Sequence, residues 1–345
     1  MDSSDFRFPQ LSVARCEFRL RAQQPGTLPA YLGSTLRGAF GHALKRVSCT
    51  VSHGECRHCW LTEACTYPLI FEGTLLQSAR SRRDTPPHPY IFRPPLLPLD
   101  VEMLNRTASD YQSTSRGCVK EFDAGEELAF EILLLGEASS RFPYVALAVK
   151  LMAEHGLGFA RAPFELAAIY HIAPDGTRES VLNDEHSYAN LRFPAPVTLT
   201  DYVAARFDKV TLGNRLQLRL LTPVRLRVEG ELRHDLSFEL LLRNVMRRLH
   251  LLFTEFSHEP FAADYRAMID LAARVNIRRS RLAWHNLDRY SNRQQAKQKL
   301  GGLLGEVEYA GDELAGFAPL ILAGELLHIG TATVFGLGRY VVMIE

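Results

Sequence analysis

One succession of elements occurs twice along the chain, and this repetition constrains the fold more than any other feature of the sequence. The motif Gly-Leu-Gly follows a predicted helix and precedes a predicted strand at 156–158 and again at 336–338. Upstream of each motif, the hydrophobic pattern predicts a strand, a helix and further strands. Because 345 residues are enough for two domains, the sequence predicts two copies of one module.

The order of elements in each half is typical of a βαββαβ unit. We therefore predict an α+β fold made of two tandem ferredoxin-like (RRM-like) domains. The first would cover residues 1–205, and the second would cover 206–345 with a glycine-rich loop at 330–338. Residues 81–100 are rich in Pro, Arg and His, which predicts a largely irregular connection.

Four of the six cysteines are clustered within 17 residues, in a C-x6-C-x2-C-x5-C pattern. The candidate ligands are Cys49, Cys56, Cys59 and Cys65. A two-residue gap is what a tight turn needs to direct two thiolates at one ion, so a metal-binding insertion around 48–70 is predicted. Structural zinc is the expected metal, and an iron–sulfur cluster is the alternative. Four free thiols in a loop are the simpler interpretation.

The composition is that of a globular protein, with 46% hydrophobic and 23% charged residues. No stretch approaches the roughly 20 apolar residues that a membrane span needs. The acidic first five residues do not resemble a secretory signal. We therefore expect a cytoplasmic protein.

The net charge of +1 conceals a strongly basic segment. Residues 274–299 contain eight Lys and Arg but only one acid, Asp288. Such a block creates a local positive field that attracts polyanions. A solvated helix face is the alternative interpretation. Two aromatic residues, Trp284 and Tyr290, lie inside the block, and rings of this kind either stack on bases or pack in a core.

Several motifs in a fixed order resemble those of a known family. They are 32–41 (LGSTLRGAFG), 67–72 (YPLIFE), 221–226 (LTPVRL), 289–294 (RYSNRQ), 301–305 (GGLLG), 328–330 (HIG) and 335–338 (FGLG). The ordered set resembles the CRISPR-associated RAMP-superfamily endoribonucleases that process precursor CRISPR RNA. The resemblance implies two ferredoxin-like domains that bind repeat RNA in their cleft or along a basic face.

The resemblance also implies a reaction. Members cleave repeat RNA without metal, because the ribose 2′-hydroxyl attacks the adjacent phosphate and leaves a 2′,3′-cyclic phosphate and a 5′-hydroxyl. This chemistry needs a base, an acid and a cation near the phosphate. Two alternatives remain: a non-catalytic RNA-binding subunit of a CRISPR effector complex, and a metal-dependent enzyme that uses the cysteines.

The first helix, predicted from Pro29 to about Val47, offers candidate catalytic residues. Its apolar stripe consists of Leu32, Leu36, Phe40, Ala43 and Val47. At about 100° per residue, His42, Tyr31 and Lys45 share the opposite face, with Gly38 between them. By the resemblance, His42 is the general base or acid, Lys45 stabilises the transition state, and Tyr31 is an auxiliary hydrogen-bond donor. A surface histidine without a role is the alternative.

Other residues are candidate contacts with RNA. The predicted set is Arg279, Arg281, His285, Arg289, Tyr290, Arg293, Gly336 and Gly338. The arginines would contact phosphates, and the glycines would allow close approach of the RNA backbone. His285 is also the second candidate for catalysis, and His328 is the third. The implied partners are CRISPR repeat RNA and crRNA, together with subunits of an effector complex.

Overall fold

The computed structural model describes residues 7–29, 31–51, 55–73, 86–96, 119–182, 197–210, 213–257, 259–291 and 296–343. Both halves of the chain contain helices packed on antiparallel sheets, so the mixed helix-and-sheet architecture predicted from the sequence is confirmed. Within the part that the structure describes, no helix is both long enough and apolar enough to cross a bilayer.

The first half is built on one antiparallel sheet. Its elements are β1 (Ser12–Ala22), β2 (Gly26–Pro29), α1 (Gly33–Ser48), α2 (Thr66–Phe71), β3 (Tyr90–Arg93), β4 (Val119–Phe122), β5 (Glu127–Leu135), α3 (Phe142–Glu154), β6 (Phe164–Ile172), β7 (Arg178–Leu182) and β8 (Val197–Thr198). The strand order is β3-β5-β1-β6-β7, and β8 pairs with β1. Strands β2 and β4 form a separate ladder.

The second half is built on one four-stranded antiparallel sheet. Its elements are α4 (Leu199–Phe207), β9 (Arg215–Val224), β10 (Arg227–Val228), β11 (Glu231–Leu232), α5 (Phe238–Phe256), α6 (Tyr265–Ala272), β12 (Asn276–His285), β13 (Asp288–Ser291), β14 (Ala296–Lys299), β15 (Gly302–Ala310), α7 (Ala318–Leu327) and β16 (Tyr340–Val342). The strand order is β12-β15-β9-β16, which makes β12 an edge strand.

The alternation of residue types along β1 explains its position in the centre of the first sheet. Cys16, Phe18 and Leu20 are fully buried, and they pack in the same cluster as Leu36 and Phe40 of α1. The residues between them are charged, since successive side chains on a strand point to opposite faces. Helix α1 therefore covers one face of the sheet, and the charged residues lie on the other.

The two halves share a hydrophobic core. Val13, Ile91, Leu133 and Leu135 of the first sheet belong to the same buried cluster as the core of the second half. They lie on the face of the sheet that α1 does not cover. The ring of Phe8 also stacks on that of Phe253, a residue of α5, with 6.1 Å between ring centroids. The helices of the second half thus cover the second face of the first sheet. The boundary predicted near residue 205 stays a prediction.

Three sequence predictions need correction. The first helix begins at Gly33, and Pro29 ends strand β2, so Tyr31 precedes the helix. The connection over 81–100 contains strand β3, whose Tyr90–Arg93 segment is buried and pairs with β5. The first part of the basic segment forms strand β12, so a solvated helix face is wrong there. A short strand next to prolines lacks the length that makes a periodic pattern visible.

Candidate functional site

The outer face of α1 carries two of the three candidate catalytic residues. His42 and Lys45 are exposed, and so is Gly38, one turn before His42. A Cβ atom added at Gly38 would have no atom within 4 Å. The Lys45 ammonium lies 5.7 Å from the centroid of the Tyr67 ring in α2, a cation–π distance. The surface around His42 is therefore open, and Lys45 is held at its edge.

Tyr31 has a different position, because it contacts the glycine-rich loop of the second half. Its hydroxyl donates a hydrogen bond to the carbonyl oxygen of Phe335. The guanidinium of Arg37 lies 5.1 Å from the Phe335 ring centroid. At Gly33, an added Cβ would lie only 1.8 Å from the Phe335 oxygen. The start of α1 and the loop thus pack directly against each other.

Two glycines of α1 give a matched test of this contact. Gly33→Ala is expected to destabilise the protein by about 1–3 kcal/mol, because the new methyl group overlaps the Phe335 carbonyl. Gly38→Ala is expected to stabilise it by about 0.5–1 kcal/mol, since alanine restricts the unfolded chain and meets nothing. Urea denaturation of both variants measures the difference. Equal effects at the two positions would show that the loop does not pack on α1.

The glycines predicted to contact RNA, Gly336 and Gly338, are buried in the structure. Both have positive φ angles, 88° and 77°, which glycine adopts most readily. An added Cβ would lie 2.4 Å from Pro94 Cδ at Gly336 and 1.8 Å from the oxygen of Ile329 at Gly338. Packing alone accounts for glycine at both positions, and their contact with RNA stays a prediction.

A buried polar network joins the two halves next to this loop. Arg93 of β3 donates to the carbonyls of Leu326 (2.6 Å) and Glu325 (3.1 Å) at the end of α7. Its Nε donates to Nε2 of His328 at 3.0 Å, and Nδ1 of His328 donates to the Leu337 carbonyl at 3.1 Å. A cation suits the carboxyl end of a helix. His328 is therefore a neutral packing residue, held by both nitrogens.

Glu131 of β5 supplies the counter-charge in this network. It accepts two hydrogen bonds of 2.8 Å from Arg15, and Arg93 lies 3.4 Å from its Oε2. Burial alone would raise the pKa of Glu131, but the Arg15 hydrogen bonds and the Arg93 charge lower it to about 2. Burial and the charge of Arg93 hold the pKa of His328 well below its ordinary value.

The candidate RNA-binding arginines lie on the edge of the second sheet. Arg279 and Arg281 are exposed on β12, opposite Glu308 and Glu306 of β15. Those acids form ion pairs with neighbours: Glu308 with Arg278 at 2.9 Å and Glu306 with Arg219 at 2.6 Å. No ion pair to a described residue is formed by Arg279 or Arg281. Exposed arginines on an edge strand, without an ion pair among the described residues, offer a positive surface to polyanions.

The remaining candidate RNA contacts of the basic segment follow β12 in the sequence. Arg289 and Tyr290 belong to β13, where they pair with Gln298 and Lys297 of β14. Arg293 lies outside the described residues. The basic segment therefore continues from the edge strand into a hairpin.

The carboxyl end of β12 lies close to the glycine-rich loop. His285 is half-buried, and burial lowers its pKa. The Trp284 ring packs partly against the core and against His234, with 4.4 Å between ring centroids. A Cβ at Gly301 would lie 2.6 Å from the His285 carbonyl. The Arg225 guanidinium donates to the Gly301 carbonyl (3.1 Å). The Arg225 carbonyl accepts from the backbone N–H of Thr331 in the loop (3.0 Å).

The four clustered cysteines are free and partly exposed. Cys49, Cys59 and Cys65 line one surface cavity of about 160 Å³. Burial and the charge of Glu72 raise the pKa of Cys56, and Cys65 and Cys49 add to this rise, so the fourth thiol lies near two of the others. Among the described residues, no three His, Cys, Asp or Glu side chains are close enough to hold an ion. The structure thus gathers the thiols without forming a ligand sphere.

Comparison with known proteins identifies the family. A family model described as an N-terminal domain (AF_1859_N) matches residues 10–193. The model of the CRISPR-associated endoribonuclease Cas6 matches residues 218–340. Residues 218–340 thus carry the domain of the Cas6 family, which consists of CRISPR-associated endoribonucleases. This match confirms the recognition made from the sequence motifs. No curated protein matches the sequence.

Solved Cas6 structures share the fold. A Cas6 (TTHB231) product complex aligns with a TM-score of 0.54 at 14% identity, over 96% of this chain and 99% of that one. Thermus thermophilus Cas6 (TTHB231) aligns at 0.50 and 13% identity with the same coverage. A partial Cas6-RT-Cas1–Cas2 complex aligns at 0.55 and 14% identity, over 98% of this chain and 46% of that one. At such identities the likeness shows the fold.

The residues that join the halves are absent from the sites predicted from the sequence. Arg93 lies in a segment predicted to be irregular, and Glu131 lies in a predicted strand that is mostly apolar. A charged residue inside an otherwise apolar strand is a usable signal, because a buried charge needs a partner. His328, a partner of Arg93, is 235 residues away in the sequence, and no local pattern can reveal such a pair.

Proposed function

We propose that the chain is a metal-independent endoribonuclease that cleaves precursor CRISPR RNA within its repeats. The match to the Cas6 model over residues 218–340 carries this proposal. The open face of α1 around His42 supports it, because an acid–base residue must reach its substrate. The products would be a 2′,3′-cyclic phosphate and a 5′-hydroxyl, and the processed guide crRNA would follow.

The proposal also includes the type of domain that each half forms. If the short ladders and short helices are set aside, the chain in each half runs strand, helix, two strands, helix, strand; the third and fourth strands flank the first, and the second strand pairs with the third. This is the order of a ferredoxin-like unit. We therefore infer that both halves are such units.

His42 is proposed as the general base or acid of the reaction. One ring nitrogen would take the proton of the 2′-hydroxyl, the 2′-oxygen would form a bond to the adjacent phosphorus, and the bond from phosphorus to the 5′-oxygen would break as that oxygen takes a proton from water. Gly38, one turn away, has no side chain and leaves room for the ribose. Lys45 is three residues along the same helix, within reach of the phosphate oxygens that gain charge.

Tyr31 has a positioning role in this scheme. Its hydroxyl proton is engaged by the Phe335 carbonyl, so it holds the glycine-rich loop beside α1. The exposed arginines of β12 and the basic hairpin after it are proposed to bind repeat phosphates. Trp284 packs partly against the core that the two halves share, so base stacking is assigned to Tyr290 instead.

The cysteines are proposed to bind one structural zinc ion. Four thiolates suit zinc, and the cavity brings three of the four thiols together. Cys49, Cys56, Cys59 and Cys65 would fill every position, so the ion would hold the segment after α1 and leave no site for water. The proposed cleavage depends on α1 and not on this ion.

The test of the proposed function is a cleavage assay on repeat RNA in EDTA, without divalent cations. We expect cleavage at an unchanged rate, with a cyclic phosphate on the upstream product and a 5′-hydroxyl on the downstream product, because the nucleophile is the ribose itself. Mass spectrometry of both fragments identifies these ends.

Two other outcomes would support the alternatives. Tight binding of repeat RNA with no cleavage in any buffer would indicate a non-catalytic RAMP subunit. Loss of cleavage on chelation, with an unchanged melting temperature, would indicate a metal-dependent enzyme.

A further inference from the structure

A group of basic and polar side chains lies between the first helix and strand β3, away from His42. Arg37 of α1 has its guanidinium 4.4 Å from the Phe71 ring centroid. The Phe71 ring stacks on that of Tyr90 (6.2 Å between centroids), and Tyr90 is next to His88 (5.7 Å). Burial lowers the pKa of His88 most, and the nearby charges of Arg37 and of Arg248 in α5 lower it further, to about 4.

One polar atom of each of these four side chains has no partner in the part of the chain that the structure describes. Arg37 Nε, His88 Nδ1, Tyr90 Oη and Arg248 Nη2 are all buried and accept or donate no hydrogen bond there, whereas Arg248 Nε donates to the Leu327 carbonyl at 3.4 Å. Tyr90 as a whole is fully buried. No described carboxylate forms an ion pair with Arg37 or Arg248. A buried donor without a partner costs about 1–3 kcal/mol, and more when it is charged, so four in one place require an explanation.

A bound phosphate group would give partners to the donors among these atoms. Guanidinium groups bind phosphate oxygens through short, charge-assisted hydrogen bonds. A phenol can donate one more hydrogen bond, and Nδ1 of His88 becomes a donor once the ring is protonated. A cation or a neutral sugar would leave the two positive charges uncompensated, and therefore neither of them fits the group.

We propose that Arg37, His88, Tyr90 and Arg248 form a phosphate-binding site at the junction of the two halves, occupied by a phosphodiester of the bound RNA. The side chains of Arg37, His88 and Arg248 are partly exposed, so a ligand can reach them. Arg37 is roughly 140° around α1 from His42, so this site holds a different phosphate from the one that is cleaved. The assignment of RNA as the occupant rests on the proposed function. The affinity of the site for phosphate is independent of that function.

The first arm of the test uses inorganic phosphate alone. A ligand that binds only the folded state raises the melting temperature as its concentration rises. We expect phosphate, compared with chloride at equal ionic strength, to do so for the parent protein and to lose this effect in Arg37→Gln and Arg248→Gln. Arg243→Gln is the matched control on α5, because Arg243 is exposed and paired with Glu239. It should respond to phosphate as the parent does.

Both variants are expected to fold. Each one removes a half-buried charge that has no counter-ion among the described residues, so the melting temperature in chloride should not fall below that of the Arg243→Gln control. A phosphate response that persists in both variants, or a parent that does not respond, would overturn the proposal.

The second arm identifies the occupant and measures only binding. With repeat RNA, each variant should lose affinity, and the slope of log K against log salt should become shallower by about 0.7–0.9, the change expected for one phosphate contact. This readout does not depend on cleavage, so a chain that binds without cutting can still pass it. An unchanged slope, together with a lost phosphate response, would assign the site to free phosphate or a nucleotide and overturn the assignment to RNA.

Discussion

Alanine in place of His42 is expected to slow cleavage of repeat RNA by about 10²–10⁴-fold, the range for loss of a general acid or base. RNA affinity and the melting temperature should stay close to those of the parent protein, because the His42 ring is exposed and packs against no core residue. A single-turnover cleavage assay with excess protein isolates the chemical step from product release.

The matched control for this variant is His250→Ala. His250 is also an exposed histidine on a helix, α5, but it lies in the second half. The His250→Ala variant should cleave at the rate of the parent protein. If His42→Ala cleaves as fast as His250→Ala, the base lies elsewhere, and His285 becomes the next residue to replace.

Replacing Glu131 with glutamine is expected to cost about 3–5 kcal/mol of unfolding free energy, the range for breaking a buried ion pair from one side. The change leaves Arg93 and Arg15 without their counter-charge, and the Arg93 side chain is only 6% exposed. Because Arg93 also holds the end of α7, the loss should affect both halves in one transition. Urea denaturation followed by circular dichroism measures it.

Glu127→Gln is the control, since Glu127 is on the same strand and face but 40% exposed, in ion pairs with Arg19 and Arg21. Exposed pairs of this kind contribute about 0–1 kcal/mol. A Glu131→Gln variant as stable as Glu127→Gln would refute the role of the network.

The same carboxylate should make the stability of the protein depend on pH. Its pKa is about 2 in the folded protein and 4.5 ordinarily. A lowered pKa means that the stabilisation is complete above pH 4.5 and is lost as the pH falls towards 2. Unfolding free energies measured between these values should fall more steeply for the parent than for Glu131→Gln.

The regular elements of this chain were predictable because their patterns are long. Strand β6 (Phe164–Ile172) and the two helices before the Gly-Leu-Gly motifs have enough apolar residues at a constant spacing to identify them. Strand β3 has only four residues between prolines, so its pattern is too short to detect. The start of α1 was misplaced because Pro29 suits the first turn of a helix and the end of a strand equally well.

The candidate site was predictable only in part, for a different reason. The exposed positions of His42 and Lys45 follow from the wheel of one helix, which is local information. Tyr31 was placed on that wheel, but its hydroxyl binds a carbonyl 304 residues away. The same is true of Arg37 and Arg248, which come together only when the halves pack. Residues that act across the junction cannot be paired from a single sequence.

The shared core restricts how such a chain can change in evolution. The face of the first sheet that carries Val13, Ile91, Leu133 and Leu135 packs against residues of the second half. A gene fragment that encodes either module alone would produce a polypeptide with a bare apolar surface and, in the first module, with Arg93 deprived of its helix end. We therefore expect the two halves of such a chain to be inherited or lost together, since each depends on the other to cover its core.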